Sequence, residues 1–208
     1  DIPLIIRDTY NEAIQIRIYV NEGKEVNYKS VQCLLDENAV NALERIDVYI
    51  RKDNERFFLT GATLLGSVKD LSGKVNIPID INFKAGLHTI WISPVLKSTA
   101  DLTKQLTIRT FALSKGTSEQ KISNVLNSSG GKANFTKRSG IAFRKAGDDG
   151  VHTYRIPGLA TTEKGTLISV YDIRYVNSHD LPANIDVGMS RSTDGGQTWE
   201  PMKVIMDM

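Results

Sequence analysis

The stretch that decides the fold is Ser192-Thr193-Asp194-Gly195-Gly196-Gln197-Thr198-Trp199, in a chain of 208 residues. Asp194 has a short carboxylate side chain, which can accept hydrogen bonds from main-chain amides within a tight turn. Gly195 and Gly196 permit the positive φ angles that such a turn requires. Trp199 supplies a large apolar anchor for a neighbouring strand. The pattern therefore predicts a compact turn inside a β-sheet.

The residues before this turn have the pattern of β-strands. Apolar residues alternate with polar or small ones over Ile185–Met189. Further upstream, Gly165-Thr166 separates the strand-like runs Ile156–Ala160 and Leu167–Tyr171. An alternation of period two places one face of a strand on a core and the other in water. Residues 141–208 are therefore predicted to form a β-sheet of several short strands.

A second motif, Tyr154-Arg155-Ile156-Pro157, lies upstream of the turn. Together the two motifs resemble the sialidase (neuraminidase) superfamily, whose catalytic domain is a six-bladed β-propeller. The resemblance implies that residues 141–208 form the start of this propeller, its first blade. It also identifies the stretch from Ser192 to Trp199 as an Asp-box, a structural turn away from the active site. The Asp-box residues are Ser192, Asp194, Gly196, Thr198 and Trp199.

Residues 1–118 are predicted to form an all-β accessory domain. Apolar and polar residues alternate in several runs separated by turn signals: Ile14–Val20, Ile46–Arg51, Val75–Phe83, His88–Ile92 and Leu106–Thr110. Such a series is typical of an antiparallel β-sandwich. Pro78 favours an edge strand or an irregularity in its run. The domain, followed by this junction, resembles the N-terminal, carbohydrate-binding-like domain of sialidases from gut Bacteroidetes-type bacteria.

Residues 119–140 are predicted to form a linker between the two domains, because small and polar residues cluster there. Gly116-Thr117-Ser118 leads into this segment, which contains Asn127-Ser128-Ser129-Gly130-Gly131 and Ser139-Gly140. Gly-rich and Ser-rich segments of this kind are typical of flexible connections. The predicted division is therefore 1–118, 119–140 and 141–208.

Arg155 is the first candidate for substrate binding. A guanidinium group matches a carboxylate with two parallel hydrogen bonds. Sialic acid carries a carboxylate on its anomeric carbon. The resemblance implies that three arginines bind this carboxylate and that Arg155 is the first of them.

Arg174 and Asp180 follow Arg155 at the offsets of two further sialidase site residues. The resemblance implies that Asp180 is the general acid/base and that Arg174 contacts substrate beside it. An acid must remain partly protonated near the working pH, a condition that bound substrate could create by shielding the carboxyl group. Asp172 and Asp186 are rival candidates for the general acid. Asp172 is interpreted instead as the structural partner of Arg174, and Asp186 as a structural residue of its strand. His179 is interpreted as a loop histidine beside the acid.

The implied reaction is hydrolysis of terminal α-linked sialic acid with retention, on sialylated glycoproteins, glycolipids and oligosaccharides. Sialidases use a tyrosine nucleophile. The resemblance places this tyrosine, its glutamate partner and two further arginines in later blades, outside the 208 residues. We therefore expect the chain alone to be inactive.

Composition narrows the other classes of function. The net charge of +2 comes from 26 basic and 24 acidic residues, with no basic stripe, which argues against a nucleic-acid partner. The single cysteine, Cys33, lies in an apolar run and is predicted to be a core thiol. His88 and His152 have no metal-like spacing, so no metal and no cofactor are expected. The chain shows neither a transmembrane segment nor a signal peptide. We expect a secreted, periplasmic or cell-surface protein. In that case the sequence either begins after a processed signal peptide or omits the signal peptide.

Three alternatives remain open at this stage. A non-catalytic carbohydrate-binding module would use the sandwich, with Trp91 or Tyr49 stacked on a sugar ring, although both residues are more typical of core packing. A different Asp-box propeller would lack the combination of Arg155 and Asp180. A trans-sialidase would share every residue named above and would differ only in blades outside this sequence.

Overall fold

The structure, a computed structural model, describes residues 3–51, 61–121, 126–127 and 134–207, with only the backbone given at 121, 126–127 and 134–135. The chain divides into two compact units, Asp1–Gly140 and Ile141–Met208. Most of the described residues lie in β-strands. Among the described residues, the helical segments are one short helix, α1 (Glu37–Ala42), and a single 3₁₀ turn at Asp148–Gly150. The predicted all-β class is therefore confirmed.

The first unit is a β-sandwich of two antiparallel sheets. In sheet order, the six-stranded sheet contains β1 (Leu4–Ile6), β11 (Asn134–Ile141), β8 (Gln105–Ser114), β3 (Val26–Leu35) and β6 (Lys74–Phe83), with β9 (Glu119–Lys121) also paired to β8. The five-stranded sheet contains β10 (Leu126–Asn127), β2 (Ile14–Val20), β7 (Gly86–Leu96), β4 (Leu43–Ile50) and β5 (Thr63–Val68).

The alternating apolar residues form the core of the sandwich. Every second side chain of β2, from Ile14 to Val20, is buried, and β6 shows the same alternation between Val75 and Ile79. At Gly66 on β5, a Cβ atom would lie only 1.7 Å from the main-chain oxygen of Pro78 on β6. Glycine is required there because strands of the two sheets approach each other so closely.

Two local predictions for the first unit are confirmed, the edge position of Pro78 and the burial of Cys33. Pro78 lies in β6, at the edge of its sheet, where the register with β3 shifts between Tyr28 and Ser30. Asp36 caps the short helix α1 by accepting a hydrogen bond of 2.7 Å from the main chain of Ala39. Cys33 is fully buried, and burial raises the pKa of its thiol to about 12. It is therefore a core thiol.

The predicted linker at 119–140 is wrong where the structure describes it. β9 pairs with the end of β8, and β11 pairs with β8 over five residues, from Asn134 opposite Arg109 to Arg138 opposite Gln105. Polar sequence does not exclude a strand, because main-chain hydrogen bonds form the ladder whatever the side chains are. The segment thus completes the sandwich. Residues 122–125 and 128–133 of the predicted linker lie outside the described residues.

The second unit contains one four-stranded antiparallel sheet with its strands in chain order. They are β12 (Thr153–Thr161), β13 (Leu167–Arg174), β14 (Ile185–Ser192) and β15 (Lys203–Asp207). This up-and-down arrangement is that of a propeller blade. The turn predicted at Gly165 joins β12 to β13, and its φ is +80°.

One face of this blade has its own apolar core. Val151, Tyr171 and Ile173 are buried there, and Phe143 and Tyr154 pack against them. Arg144 connects the segment before β12 to this face, because it donates to the hydroxyl of Tyr171 over 3.1 Å and to that of Ser190 over 2.7 Å. The blade thus carries packing and hydrogen bonds of its own.

No helix in the parts of the chain that the structure describes has the length and apolar character needed to cross a membrane.

Candidate functional site

The segment predicted to be an Asp-box, Ser192 to Trp199, forms a closed hydrogen-bonded turn between β14 and β15. The carboxylate of Asp194 accepts from the main-chain N–H of Thr198 over 2.9 Å and from the hydroxyl of Ser192 over 2.8 Å. The Ser192 hydroxyl in turn accepts from the N–H of Gly196 over 2.9 Å. Gly195 and Gly196 have φ angles of +73° and +91°. These hydrogen bonds, first of all those from Thr198, lower the pKa of Asp194 to about 2.

Trp199 packs at the base of this turn. Its ring stacks on Phe143 with the two ring centroids 4.2 Å apart, and its indole N–H donates to the main-chain oxygen of Gly196 over 3.0 Å. The sequence prediction of a tight turn anchored by tryptophan is confirmed. The anchoring partner is a residue that precedes β12 rather than a strand residue.

The turn and the candidate catalytic residues lie at opposite ends of the blade. Ser192 pairs with Leu167 at one end of the β13–β14 ladder, and Arg174 pairs with Ile185 at the other. Seven residue steps at about 3.3 Å each separate these ends by roughly 23 Å. The Asp-box residues therefore take no part in any site formed around Arg174.

A bulge in β12 positions Arg155. The register between β12 and β13 shifts between Arg155 and Gly158, and Ile156 within the shift has a φ of +50°. Such a φ is rare for a β-branched residue, and Pro157 has no N–H to return to the ladder. The Ile-Pro pair thus leaves the sheet directly after Arg155, as bulges do where a strand must redirect a side chain.

Arg155, Asp172 and Arg174 project from one face of the blade. Arg155 pairs directly with Asp172 across β12 and β13, and Arg174 follows two positions later on β13. Directly paired residues and residues two apart on a strand share a face. The opposite face holds the apolar core that contains Ile173. The site residues are therefore on the face that the core does not occupy.

The loop between β13 and β14 brings Asp180 to the same place. It begins where Tyr175 bonds Asn184 through their main chains over 3.4 Å. Within it, the side chain of Asn177 accepts a hydrogen bond of 2.9 Å from the N–H of His179. The carbonyl oxygen of Ser178 then accepts from Nη1 of Arg155 over 3.1 Å and from Nη1 of Arg174 over 2.8 Å. One main-chain oxygen thus holds both arginines.

Arg174 is the centre of the hydrogen-bond network. Its Nη2 atom donates to Asp172 over 2.8 Å and to Asp180 over 2.5 Å. The Arg174 side chain is 2% exposed, whereas Asp180 is 76% exposed. The hydrogen bond to Asp172, followed by that to Asp180, raises the pKa of Arg174 against the opposing effect of burial. Asp172 is thus bonded to Arg174, as the sequence suggested.

In the free chain, the surroundings of Asp180 favour its ionised form. The hydrogen bond from Arg174 and then its positive charge lower the pKa of Asp180, with smaller contributions from Arg155 and His179. Burial acts in the opposite direction, but the carboxyl group is too exposed for that effect to dominate. In the free chain Asp180 is an ion-paired carboxylate rather than a protonated acid.

The other candidates in this unit have partners elsewhere. Asp186 lies on the core face of β14 and accepts a hydrogen bond of 2.7 Å from the hydroxyl of Tyr175. His179 is a loop residue next to Asp180, and its main-chain N–H donates to the side chain of Asn177. No group of three or more His, Cys, Asp or Glu side chains in the described parts of the chain is arranged to hold a metal ion.

The aromatic residues considered for sugar stacking in the sandwich are buried. Tyr49 and Trp91 are 7% and 6% exposed and pack against each other and Ala62. Tyr10 covers Tyr49 edge-on, with their ring centroids 5.6 Å apart. Neither Tyr49 nor Trp91 presents a free ring face to a ligand.

The geometry suits an anionic ligand next to a proton donor or acceptor. Arg155 is exposed, and among the described residues the Ser178 oxygen is its hydrogen-bond acceptor. A guanidinium group carries five N–H donors, so others remain for a ligand. Sequence reasoning missed the Ser178 carbonyl and Asn177. A loop Asn is itself a turn signal, because its side chain can accept from the main-chain N–H two residues on, as Asn177 does.

Comparison with known proteins shows that the chain is similar to sialidases. No family model matches the chain. A sialidase from Bacteroides fragilis (strain YCH46) is 42% identical over 119 residues, which are 57% of this chain and 21% of that protein. A sialidase from Paraclostridium sordellii is 46% identical over 54 residues, which are 26% of this chain and 13% of that protein.

A comparison of folds also finds a sialidase. The structure of Hadza microbial sialidase Hz136 matches with a TM-score of 0.76 and 28% identity, over 99% of this chain and 43% of the solved chain. The chain thus spans about a fifth of the Bacteroides relative and less than half of the solved one. The predicted resemblance is confirmed: in sequence and in fold, the chain is related to bacterial sialidases.

Proposed function

We propose that the chain contributes the first part of the active site of an exo-α-sialidase. In this proposal Arg155 binds the carboxylate of a terminal sialic acid, Asp180 is the general acid/base, and Arg174 lies beside both. The observation that carries it is the meeting of Arg155 and Arg174 on the Ser178 carbonyl, two residues before Asp180. An acid within reach of a carboxylate-binding guanidinium is what cleavage of an acidic sugar requires.

The lowered pKa of Asp180 in the free chain is compatible with an acid role only if substrate changes it. A bound carboxylate adds a negative charge next to Arg155 and covers an exposed loop. Both changes favour the neutral form of a nearby carboxyl group and raise its pKa. Asp180 then donates its proton to the departing glycosidic oxygen, and as a carboxylate it activates the water that completes hydrolysis.

The nucleophile comes from outside these 208 residues in this proposal. Sialidases use a tyrosine, because a carboxylate nucleophile would meet the carboxylate of the substrate. Tyr154 and Tyr171 are not suited to act as the nucleophile. The hydroxyl of Tyr154 donates to the main chain of Asp148, and Tyr171 is buried beside Ser190. The tyrosine, its glutamate and two further arginines belong to later blades, so the 208 residues alone do not turn over substrate.

The proposed substrates are sialylated glycoproteins, glycolipids and oligosaccharides, and the proposed location is outside the cytoplasmic membrane. The similarity to named sialidases supports the substrate class. That similarity covers 21% of the Bacteroides fragilis sialidase and 43% of the solved sialidase chain.

The test uses a protein that carries this sequence together with the rest of the propeller. Its wild type should hydrolyse a fluorogenic α-sialoside, and Asp180→Asn should lower kcat/KM by about 10²–10⁴-fold, the usual contribution of a general acid. Arg155→Lys should mainly raise KM. Arg191→Lys, at the far end of the same blade in an exposed pair with Glu200, is the control. Full activity of Asp180→Asn would disprove the assignment.

The 208-residue chain is assayed in parallel. We expect its turnover to equal that of its own Asp180→Asn variant. Turnover above that level would contradict the placement of the nucleophile in later blades.

A further inference from the structure

Two carboxylates share one nitrogen atom of Arg174. Oδ2 of Asp172 and Oδ1 of Asp180 both bond Nη2, over 2.8 and 2.5 Å. The two oxygens are therefore no farther apart than the sum of these lengths. Like charges at such a separation disfavour each other, so the ionisation of one carboxyl group depends on the other.

The two carboxylates are held very differently. Asp172 lies within β13 and is paired on both sides, with Arg155 on β12 and with Val187 on β14. Its side chain is 22% exposed, whereas that of Asp180 is exposed in a loop. Arg174 is buried, and a buried guanidinium group needs a lasting anionic partner. Asp172 can be that partner, and Asp180 is free to leave.

We propose that Asp172 is the positioning residue of this site: it stays paired with Arg174 and so releases Asp180 to take up a proton. Without the charge of Asp172, Asp180 would become the sole carboxylate on Arg174 and would be held there as an ion. Asp172 thus weakens the electrostatic hold of Arg174 on the carboxylate of Asp180. Asp180 can therefore alternate between its ionised and its protonated form.

The charged groups that face Asp180 come from three elements. Arg174 and Asp172 lie on β13, Arg155 lies on β12, and His179 lies in the loop itself. β14 places Asp186 on the other face, bonded to Tyr175. The coupling between the ionisation of Asp172 and that of Asp180 follows from this geometry. Its consequence for catalysis, the availability of Asp180 as an acid, rests on the proposed function.

The first test measures the pKa of Asp180 by carboxyl-carbon NMR in the 208-residue chain. Asp172→Asn keeps the shape of the side chain and an oxygen that can accept from Arg174, but removes the charge. We expect Asp180 to stay ionised to a pH about one unit lower than in the wild type. Asp80→Asn, which removes an exposed carboxylate paired with Lys29 in the first unit, should leave the Asp180 pKa unchanged.

Asp172→Glu restores the charge and should return the Asp180 pKa towards the wild-type value. It also keeps the inference testable if Asp172→Asn disturbs the fold. An Asp180 pKa that is the same or higher in folded Asp172→Asn, or that moves as far in Asp172→Glu, would overturn the inference.

The second test follows the pH dependence of kcat/KM in the protein with the complete propeller. Its alkaline limb, which requires a protonated acid, should move to lower pH by about one unit in Asp172→Asn and little in Asp172→Glu. A wild type without sialidase activity would defeat the proposed function while leaving the NMR result intact. If the wild type is active but the pKa of Asp180 is unchanged in Asp172→Asn, only the present inference is disproved.

Discussion

Arg155 and Arg174 donate hydrogen bonds to the same acceptor, the main-chain oxygen of Ser178, over 3.1 and 2.8 Å. Two positive groups repel each other, and the shared acceptor together with the carboxylates of Asp172 and Asp180 offsets that repulsion. The loop that supplies this acceptor also carries Asp180. The position of Asp180 is therefore tied to the positions of both arginines.

Arg174→Lys tests whether the forked shape of the guanidinium is needed. An ammonium group cannot satisfy Asp172, Asp180 and the Ser178 oxygen in the same geometry. We expect the hydrogen bond to Asp180 to weaken and the Asp180 pKa to rise by about half a pH unit to one unit. The measurement is an NMR titration with Arg191→Lys as control, and an unchanged Asp180 pKa would speak against the assigned contact.

Asn177→Ala tests whether the capped turn orients the Ser178 carbonyl. The side chain of Asn177 holds the N–H of His179, and its loss should free the peptide that both arginines bond. We expect hydrogen exchange at His179 and Asp180 to become about tenfold faster. Asn177→Asp keeps an acceptor and should restore slow exchange. Equal exchange in the Ala and Asp variants would show that the turn does not depend on this side chain.

Asp194→Ala should destabilise the blade. Removing a carboxylate that bonds Ser192 and Thr198 should lower the midpoint of thermal unfolding by about 5–10 °C. The indole N–H signal of Trp199 reports unfolding of this unit, because it bonds Gly196 within the turn. Glu163→Gln, in the exposed turn between β12 and β13, is the control, and a midpoint equal to that of the control would be evidence against the prediction.

The same residue predicts a pH dependence of stability. The folded-state pKa of Asp194, about 2, lies below its ordinary value of 3.8. Its stabilising contribution is thus complete above the ordinary pKa and is lost as the pH falls towards 2. Between pH 4 and 2, unfolding of the blade should depend less on pH in Asp194→Ala than in the wild type.

Gly66→Ala should destabilise the sandwich. The added Cβ atom would lie 1.7 Å from the main-chain oxygen of Pro78, which cannot turn aside as a side chain can. We expect a loss of about 3 kcal/mol in the free energy of unfolding, measured by urea denaturation. Gly73→Ala, whose Cβ would lie 3.8 Å from its nearest neighbour, should change it by less than about 0.5 kcal/mol. Similar losses in both variants would contradict the close approach of the sheets.

Strands with a clear period could be predicted from the sequence, and others could not. β2 and β6 bury every second residue over most of their length, and such a pattern needs no knowledge of the fold. β3 buries four consecutive residues, from Ser30 to Cys33, because register shifts occur at both ends of that run. A bulge removes the alternation by which a strand is recognised.

The candidate site shows the same division. The positions of Arg155, Arg174 and Asp180 follow from the resemblance, but their partners do not. The Ser178 carbonyl is a main-chain group, and any residue at that position would present one. The lowered pKa of Asp180 likewise depends on a distance to Arg174 that residue spacing does not give. The sequence thus indicated which residues lie close together. It did not indicate how their contacts determine the protonation state of Asp180.

The separation of the Asp-box from the arginines by the length of β13 has a practical consequence. The turns at 162–166 and 193–202 offer an end for attaching a fluorophore, an affinity handle or a solid support. A molecule immobilised through that end would present the end with Arg155, Arg174 and Asp180 to the solution. The two ends of the blade can accordingly be engineered for different purposes.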